Sequence, residues 1–394
     1  MNTIKQQSTI LLLSIFAASP LTALAQEDAQ QLGEQQQQIF ESEFPLIVES
    51  LNLGSFDLFA SSIDKSDFLD RIYGLRLIDQ GVKKRFTESM ESQFAGMVSN
   101  GFDGPKDQVN GTLLGIESRG DRARAVVRYN LPNLQFSYHE YDLRLDEQGR
   151  VIIIDWTNYL RGQRFTDETG TALVQAMPSP QASRKLLNVQ YVEDADLFQF
   201  TELLKAGRDQ KTDRYSDIYK NLPPALRGQR VVVLMHVALA RAVNNRRFLR
   251  EALVEVYTYF PDEPLFGLML LDYTVPTKRY DESITNLQRT YEKLGFDDAA
   301  MEARLSAITL VQGNAADAAA YAERAVLMEP GLELGWWSAL RARAAIADFP
   351  GAVEALQQLE EHHGHTLGSA ELQRDKSFAA LLASDEFKAW EASR

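Results

Sequence analysis

The chain has 394 residues, 45% of them hydrophobic, no cysteine, and a formal net charge of −14. The acid excess argues against nucleic acid and anionic lipid as partners, because both are held by clustered Lys and Arg. Without thiols there are no disulfides, thiol nucleophiles or zinc–thiolate sites, so stability must come from apolar burial, and there is apolar material enough for two domains.

Residues 1–25 read as an export address. Lys5 gives a positive start, residues 10–18 an apolar run, and Ala23-Leu24-Ala25 a small-x-small site that predicts cleavage before Gln26. The run is too short to span a bilayer, and an uncleaved anchor is the competing reading. Removing Lys5 takes the charge from −14 to −15. The expected product lies outside the cytoplasm, in a bacterial periplasm, with no stable membrane insertion after cleavage. Residues 26–38, ending in Gln35-Gln-Gln-Gln38, read as a flexible polar leader.

Residues 39–177 read as an α+β domain. Phe40, Phe44, Ile47 and Leu51 recur at helical spacing over 39–52, and Phe68, Ile72 and Leu75 do so after the cap-like Asp64. A third helix is predicted over 77–98 from Val82, Phe86, Met90, Phe94 and Met97. It stops at Asn100-Gly101, before a turn at Asp103-Gly-Pro105. Four strands follow at 111–118, 122–131, 136–145 and 151–160, punctuated by Arg119-Gly-Asp121, Pro132-Asn133 and Glu147-Gln-Gly149. Such short connectors make an antiparallel meander. Helices followed by a curved four-stranded sheet resemble the NTF2-like (cystatin-like) α+β roll in the order of elements. The resemblance implies an open end whose pocket can hold an acid–base pair. The pocket candidates are Tyr138, His139, Tyr141 and Trp156; a core histidine beside a tyrosine is the plainer alternative. Strict alternation puts His139 and Tyr141 inward with Leu143 and Leu145. It groups Ile152 and Ile154 with Trp156, and turns Asp155 outward or to the pocket mouth.

Met177-Pro-Ser-Pro180 reads as a linker. Within residues 178–230, a helix pair over 191–205 and 214–221, ended by Leu222-Pro-Pro224, reads as a degenerate first repeat or an N-terminal cap.

Residues 231–366 carry a period. The turn marks Phe260-Pro-Asp-Glu-Pro264, Leu294-Gly-Phe-Asp-Asp298, Met328-Glu-Pro-Gly-Leu332 and His362-His-Gly-His-Thr366 begin at intervals of 294−260, 328−294 and 362−328, each 34. First helices are predicted at 231–243, 265–275, 299–311 and 333–346, and second helices at 248–259, 281–294, 315–327 and 351–362. Ala238, Ala252, Ala307, Ala318, Ala325 and Ala352 supply the small side chains that let paired helices approach. With Trp336, Ala318, Ala325 and Pro330 at matching positions, the segment resembles a tetratricopeptide-repeat array. The second unit departs from that pattern with Ser283 or Ile284 in the alanine place, and the first unit is shortened.

The resemblance implies an inner surface lined by the first helices, with a stripe through Met235, Phe266, Met269, Tyr273, Trp337 and Arg341. Met and aromatic residues there suit an apolar helix or extended peptide, and they take the place of the Lys, Arg and Asn of a carboxylate clamp. Burial of these residues between repeats is the competing reading. Residues 367–394 read as a capping helix, with Phe378, Leu381, Leu382, Phe387 and Trp390 at helical spacing facing the last repeat; a membrane- or partner-binding helix is the competing reading.

No Gly-x-Ser-x-Gly, His-Glu-x-x-His or phosphate-loop motif occurs. His362, His363 and His365 cluster on a repeat turn, which lacks the supporting bonds that hold metal geometry, so neither a metal nor a cofactor is expected. The fold class expected is an α+β domain followed by an all-α helical solenoid. The function expected is a non-catalytic periplasmic scaffold or adaptor, binding a protein or peptide of the cell envelope. The alternative is a small-ligand-binding protein or enzyme using the roll pocket. Partner identity and oligomeric state are not encoded in any motif.

Overall fold

The computed structural model describes residues 20–74, 84, 87–88, 93–187 and 192–394. Its N-terminal part holds α1 (Pro20–Asn52), α2 (Asp57–Ser61), α3 (Lys65–Gly74) and α4 (Phe94–Ser99). An antiparallel sheet follows, made of β1 (Asn110–Arg119), β2 (Arg122–Leu131), β3 (Gln135–Leu145), β4 (Val151–Asn158) and β5 (Gln163–Arg164), in the order of the chain. Five connecting helices come next: α5 (Phe165–Ala176), α6 (Pro180–Leu187), α7 (Asp194–Arg208), α8 (Thr212–Asn221) and α9 (Pro224–Arg227). The remainder is helix hairpins: α10 (Arg230–Ala242) with α11 (Arg246–Tyr259), α12 (Gly267–Thr274) with α13 (Tyr280–Leu294), α14 (Ala299–Gln312) with α15 (Ala315–Met328), and α16 (Glu333–Ala345) with α17 (Phe349–His363). Short helices α18 (Ser369–Leu372), α19 (Ala379–Ala383) and α20 (Asp385–Ala392) close the chain. The fold is thus α+β followed by all-α, as the pattern of elements predicts.

The hairpins keep their interval. Counting the 3-10 turn Pro264–Phe266 that leads into α12, first helices begin at 230, 264, 299 and 333, and second helices at 246, 280, 315 and 349. Both series step by 34, 35 and 34. Side-chain caps start several of these helices: Asn245, Asp298, Asn314 and Asp348 each accept a backbone N–H from the first turn. Ala252, Ala318, Ala325 and Ala352 are fully buried where paired helices meet, and Trp336 donates to the Pro330 carbonyl at 2.7 Å. Ala307 is half-buried. Ala238 is exposed, and the small residue buried on its helix is Ala240.

Three local readings are corrected, for residues 26–38, the sheet and the tail. Residues 26–38 are not a loose leader but continue α1, and Ser118 donates to Gln37 at 2.6 Å. Of the expected address segment, residues 20–25 form the start of α1, while residues 1–19 lie outside the described residues, as do Leu75, Val82, Phe86, Met90 and Tyr191. The sheet has a fifth strand, β5, too short to show as a periodic run. The tail is not one helix but three short ones with a 3-10 turn. Extended Ser384 interrupts it and caps α20, while Phe378, Leu381, Phe387 and Trp390 still bury against α16 and α17.

The sheet is covered on both faces. Its inner face meets α1–α4 through a core rich in rings, including Phe40, Phe44, Phe59, Phe68, Phe94, Phe102, Tyr129, Tyr141 and Trp156. Trp156 stacks on Phe165 with centroids 4.4 Å apart, and Phe59 meets it edge-on at 5.4 Å. Its outer face meets the hairpins: Val126, Phe136, Tyr138 and Tyr159 pack with Leu268, Leu287, Leu294, Met301 and Leu305. That double coverage explains why β2 and β4 are buried along most of their length instead of at every second residue.

Candidate functional site

The four pocket candidates do not share a face. His139, Tyr141 and Trp156 point into the inner core, whereas Tyr138 faces the hairpins. His139 lies 4.7 Å from the Tyr129 ring and 5.1 Å from Phe102, ring centroid to centroid. Its Nδ1 is 3.2 Å from the Tyr141 hydroxyl, which is 2.8 Å from that of Tyr129. Burial drives the imidazole pKa down to about 3, so the ring is neutral and enclosed. Rings fill the space around it.

Strict alternation fails on β4, for a physical reason. Asp142 pairs with Asp155 but Leu143 pairs with Ile153, so Ile154 is an extra residue and the strand bulges. Ile153 and Trp156 therefore both enter the inner core, contrary to the simple two-residue period. Asp155 is neither outward nor at a mouth. It is buried, accepts from the Thr166 hydroxyl at 2.6 Å and from the Thr166 backbone N–H at 3.3 Å, and so caps α5 from a neighbouring strand. Burial raises its pKa to about 6, against those hydrogen bonds.

The six groove candidates separate as well. Met235, Phe266 and Met269 are buried in the core beneath α10–α12. Phe266 is pressed against Gly162 of the β4–β5 turn, which has φ +69° and no room for a side chain. Tyr273 is half-buried, next to Tyr257 and under the Arg279 guanidinium. Trp337 is likewise half-buried on α16 and Arg341 is exposed, with the guanidinium 5.5 Å from the indole centroid. His365 meets Trp337 edge-on at 5.2 Å, and Glu333 joins the two, lying 2.7 Å from His365 Nε2 and accepting from Trp337 Nε1 at 3.2 Å. The histidine turn thus belongs to this aromatic cluster; His362 is exposed.

A buried arrangement of charge that strand and helix patterns did not single out lies in the seam between the outer sheet face and the hairpins. Arg128 on β2 is fully buried. It donates to Asp298 at 2.5 Å, to Glu329 at 2.8 Å and to Asn130 at 3.1 Å. Asp298 also accepts from the Tyr138 hydroxyl at 2.5 Å and from the Met301 N–H at 3.0 Å. Burial opposes the charge of Arg128, but the bond to Glu329 and the charges of Asp298 and Glu329 outweigh it, so its pKa lies above the ordinary value. Tyr138 is pushed well up by burial and then by Asp298, and stays a hydroxyl donor.

Around this centre other arginines stitch the layers. Arg124 donates to the Lys293 and Leu294 carbonyls at 3.0 and 2.8 Å, at the negative end of the α13 dipole. Arg230 donates to the Gly162 carbonyl at 2.8 Å, and Arg241 to that of Leu160 at 3.0 Å. Phe296, in the turn before α14, sits against Gly115 where β1 carries a bulge. Two of the repeat turns, 294–298 and 328–332, therefore serve as docking points for the sheet. No helix among the described residues is long and apolar enough to cross a membrane. Compared with protein-family models, with curated proteins and with solved structures, the chain matches none.

Proposed function

We propose that the chain is an exported, non-catalytic adaptor of the cell envelope, built on a tetratricopeptide-like array, whose partner surface lies on the last hairpin. The reading rests on one observation. Three of the six groove candidates are spent inside the protein, while Trp337 stays half-exposed beneath Arg341 and beside His365. Tryptophan and arginine side by side on the solvent-facing edge of a helix are the residue types that anchor protein interfaces. The partner is then a protein or peptide offering an apolar side chain to the indole and a carboxylate to Arg341.

Crosslinking in the cell envelope, comparing the natural chain with Trp337→Ala and Arg341→Ala, tests this. The expected result is loss of one reproducible crosslinked species in both variants while the chain stays folded. An unchanged set of crosslinked species would overturn it. N-terminal sequencing of the envelope-extracted protein checks the export half, with Gln26 expected as the first residue.

A further inference from the structure

Between the sheet and the hairpins lies a cleft of about 330 Å³, lined by Asp103, Gln135, Phe136, Leu160, Arg241, Leu268, Leu271, Asp272 and Arg304. Its charged groups are unevenly matched. Both oxygens of Asp103 are engaged, by Arg161 at 3.0 Å and Asn158 at 2.7 Å. Arg241 spends one nitrogen on the Leu160 carbonyl, and its nearest carboxylate, Asp272, is 4.0 Å away. Arg304, half-buried, donates to the Leu134 carbonyl at 2.9 Å and lies 5.3 Å from the centroid of the Phe136 ring. Among the described residues no carboxylate comes within 4.0 Å of it, although the chain carries an acid excess of 14. A guanidinium taken partly out of water with no carboxylate in contact, only Asp272 at longer range, is an incompletely matched charge, and a planar fork of free N–H groups fits an oxyanion.

We propose that this cleft binds a small molecule carrying one oxyanion group, a carboxylate or a phosphate, on an apolar body. The oxyanion is held by the free N–H groups of Arg304 and reached by Arg241, while the body lies against Phe136, Leu268 and Leu271. Burial, acting first, lowers the pKa of Arg241 against Asp272 and that of Arg304 against Tyr138 and then Asp272, and burial likewise raises Asp272; a bound anion reverses the shortfall on the two cations. The site stands apart from the Trp337 surface, so either can fail without the other.

The test is titration calorimetry on the full chain with hexanoate, hexyl phosphate and hexan-1-ol. Binding of hexanoate or hexyl phosphate with no binding of hexan-1-ol supports the site, and the tighter of the two names the oxyanion. Arg304→Gln should weaken the anion at least tenfold, and Arg304→Lys should recover part of that loss by restoring the charge without the fork. Should Arg304→Gln fail to fold, Asp272→Asn decides the matter. It removes the carboxylate that competes for Arg241 and should tighten the anion several-fold. Equal binding of hexan-1-ol, no binding of either anion, or an affinity unmoved by both Arg304→Gln and Asp272→Asn would overturn the proposal.

Discussion

The two faces of the sheet are held by different physics. Apart from the His139–Tyr141–Tyr129 hydrogen bonds, the inner face is held by rings and aliphatic groups, whose burial is non-directional. The outer face adds Arg128, Asp298, Tyr138 and Glu329, whose bonds exist only when strand and hairpins sit in one register. A buried ion pair gives little net stability, because desolvation offsets most of its attraction, but it penalises every misaligned arrangement that leaves a charge unpaired. The comparison teaches that the inner face makes the N-terminal layer cohere, while the outer face fixes where that layer sits on the array.

Breaking the inner face should have the largest effect. Trp156→Ala removes a fully buried ring that touches Phe59, Phe68 and Phe165, and should cost about 3–5 kcal/mol in urea denaturation. Arg128→Met should cost about 3 kcal/mol, at the low end for a broken buried pair, because Asp298 keeps Tyr138 and the Met301 N–H. Its distinguishing sign is position: limited proteolysis should cut between the sheet and the hairpins, which Trp156→Ala should not favour. Next comes Gly162→Val, which forces a side chain into the Phe266 ring at a positive φ. It should cost about 1–3 kcal/mol and open the seam without breaking a carboxylate pair, although Arg230 rests on both the Gly162 carbonyl and the Phe266 ring.

The smallest effect sharpens the contrast between partnered and unpartnered polar burial. His236 sits among Tyr215, Tyr219 and Phe248, and neither of its ring nitrogens has a hydrogen-bond partner among the described residues. Burial lowers its pKa to about 4. Above the ordinary histidine value both folded and unfolded states are neutral there. As pH falls from about 6.5 toward 4, the unfolded chain takes up a proton that the folded chain does not, and stability is lost. His139 acts in the same sense down to about 3. Asp155 opposes them: its folded pKa of about 6 exceeds the unfolded one, so it favours the folded state as pH falls through 6. His236→Phe should therefore reduce the loss of stability between pH 7 and pH 5, read as the shift in urea midpoint, and raise stability at pH 7 by about 1 kcal/mol.

Much of this was legible from residue pattern. Helices recurring every 34 residues show in the sequence because each hairpin is a local unit between turn marks. The strands show because β-branched and aromatic residues alternate between Gly and Pro punctuation. What stayed hidden depends on distant pairings. The Ile154 bulge is set by the partner strand, so a two-residue period misassigns Asp155. The coverage of Phe266 by Gly162 and the match of Arg128 to Asp298 join residues more than 100 positions apart. One signal was present: an arginine between Val127 and Tyr129 in an apolar strand demands a buried acid somewhere. Nothing local says that this acid is the cap of a repeat helix.

A double-mutant cycle of Arg128→Met and Asp298→Asn, measured by urea denaturation at pH 7, tests the seam most directly. If the sheet is seated on the hairpins through this pair, the double variant should be more stable than the sum of the single losses implies by about 1–3 kcal/mol. Additivity within about 0.5 kcal/mol would mean that the two residues do not meet, and the arrangement of sheet on array described here would be wrong.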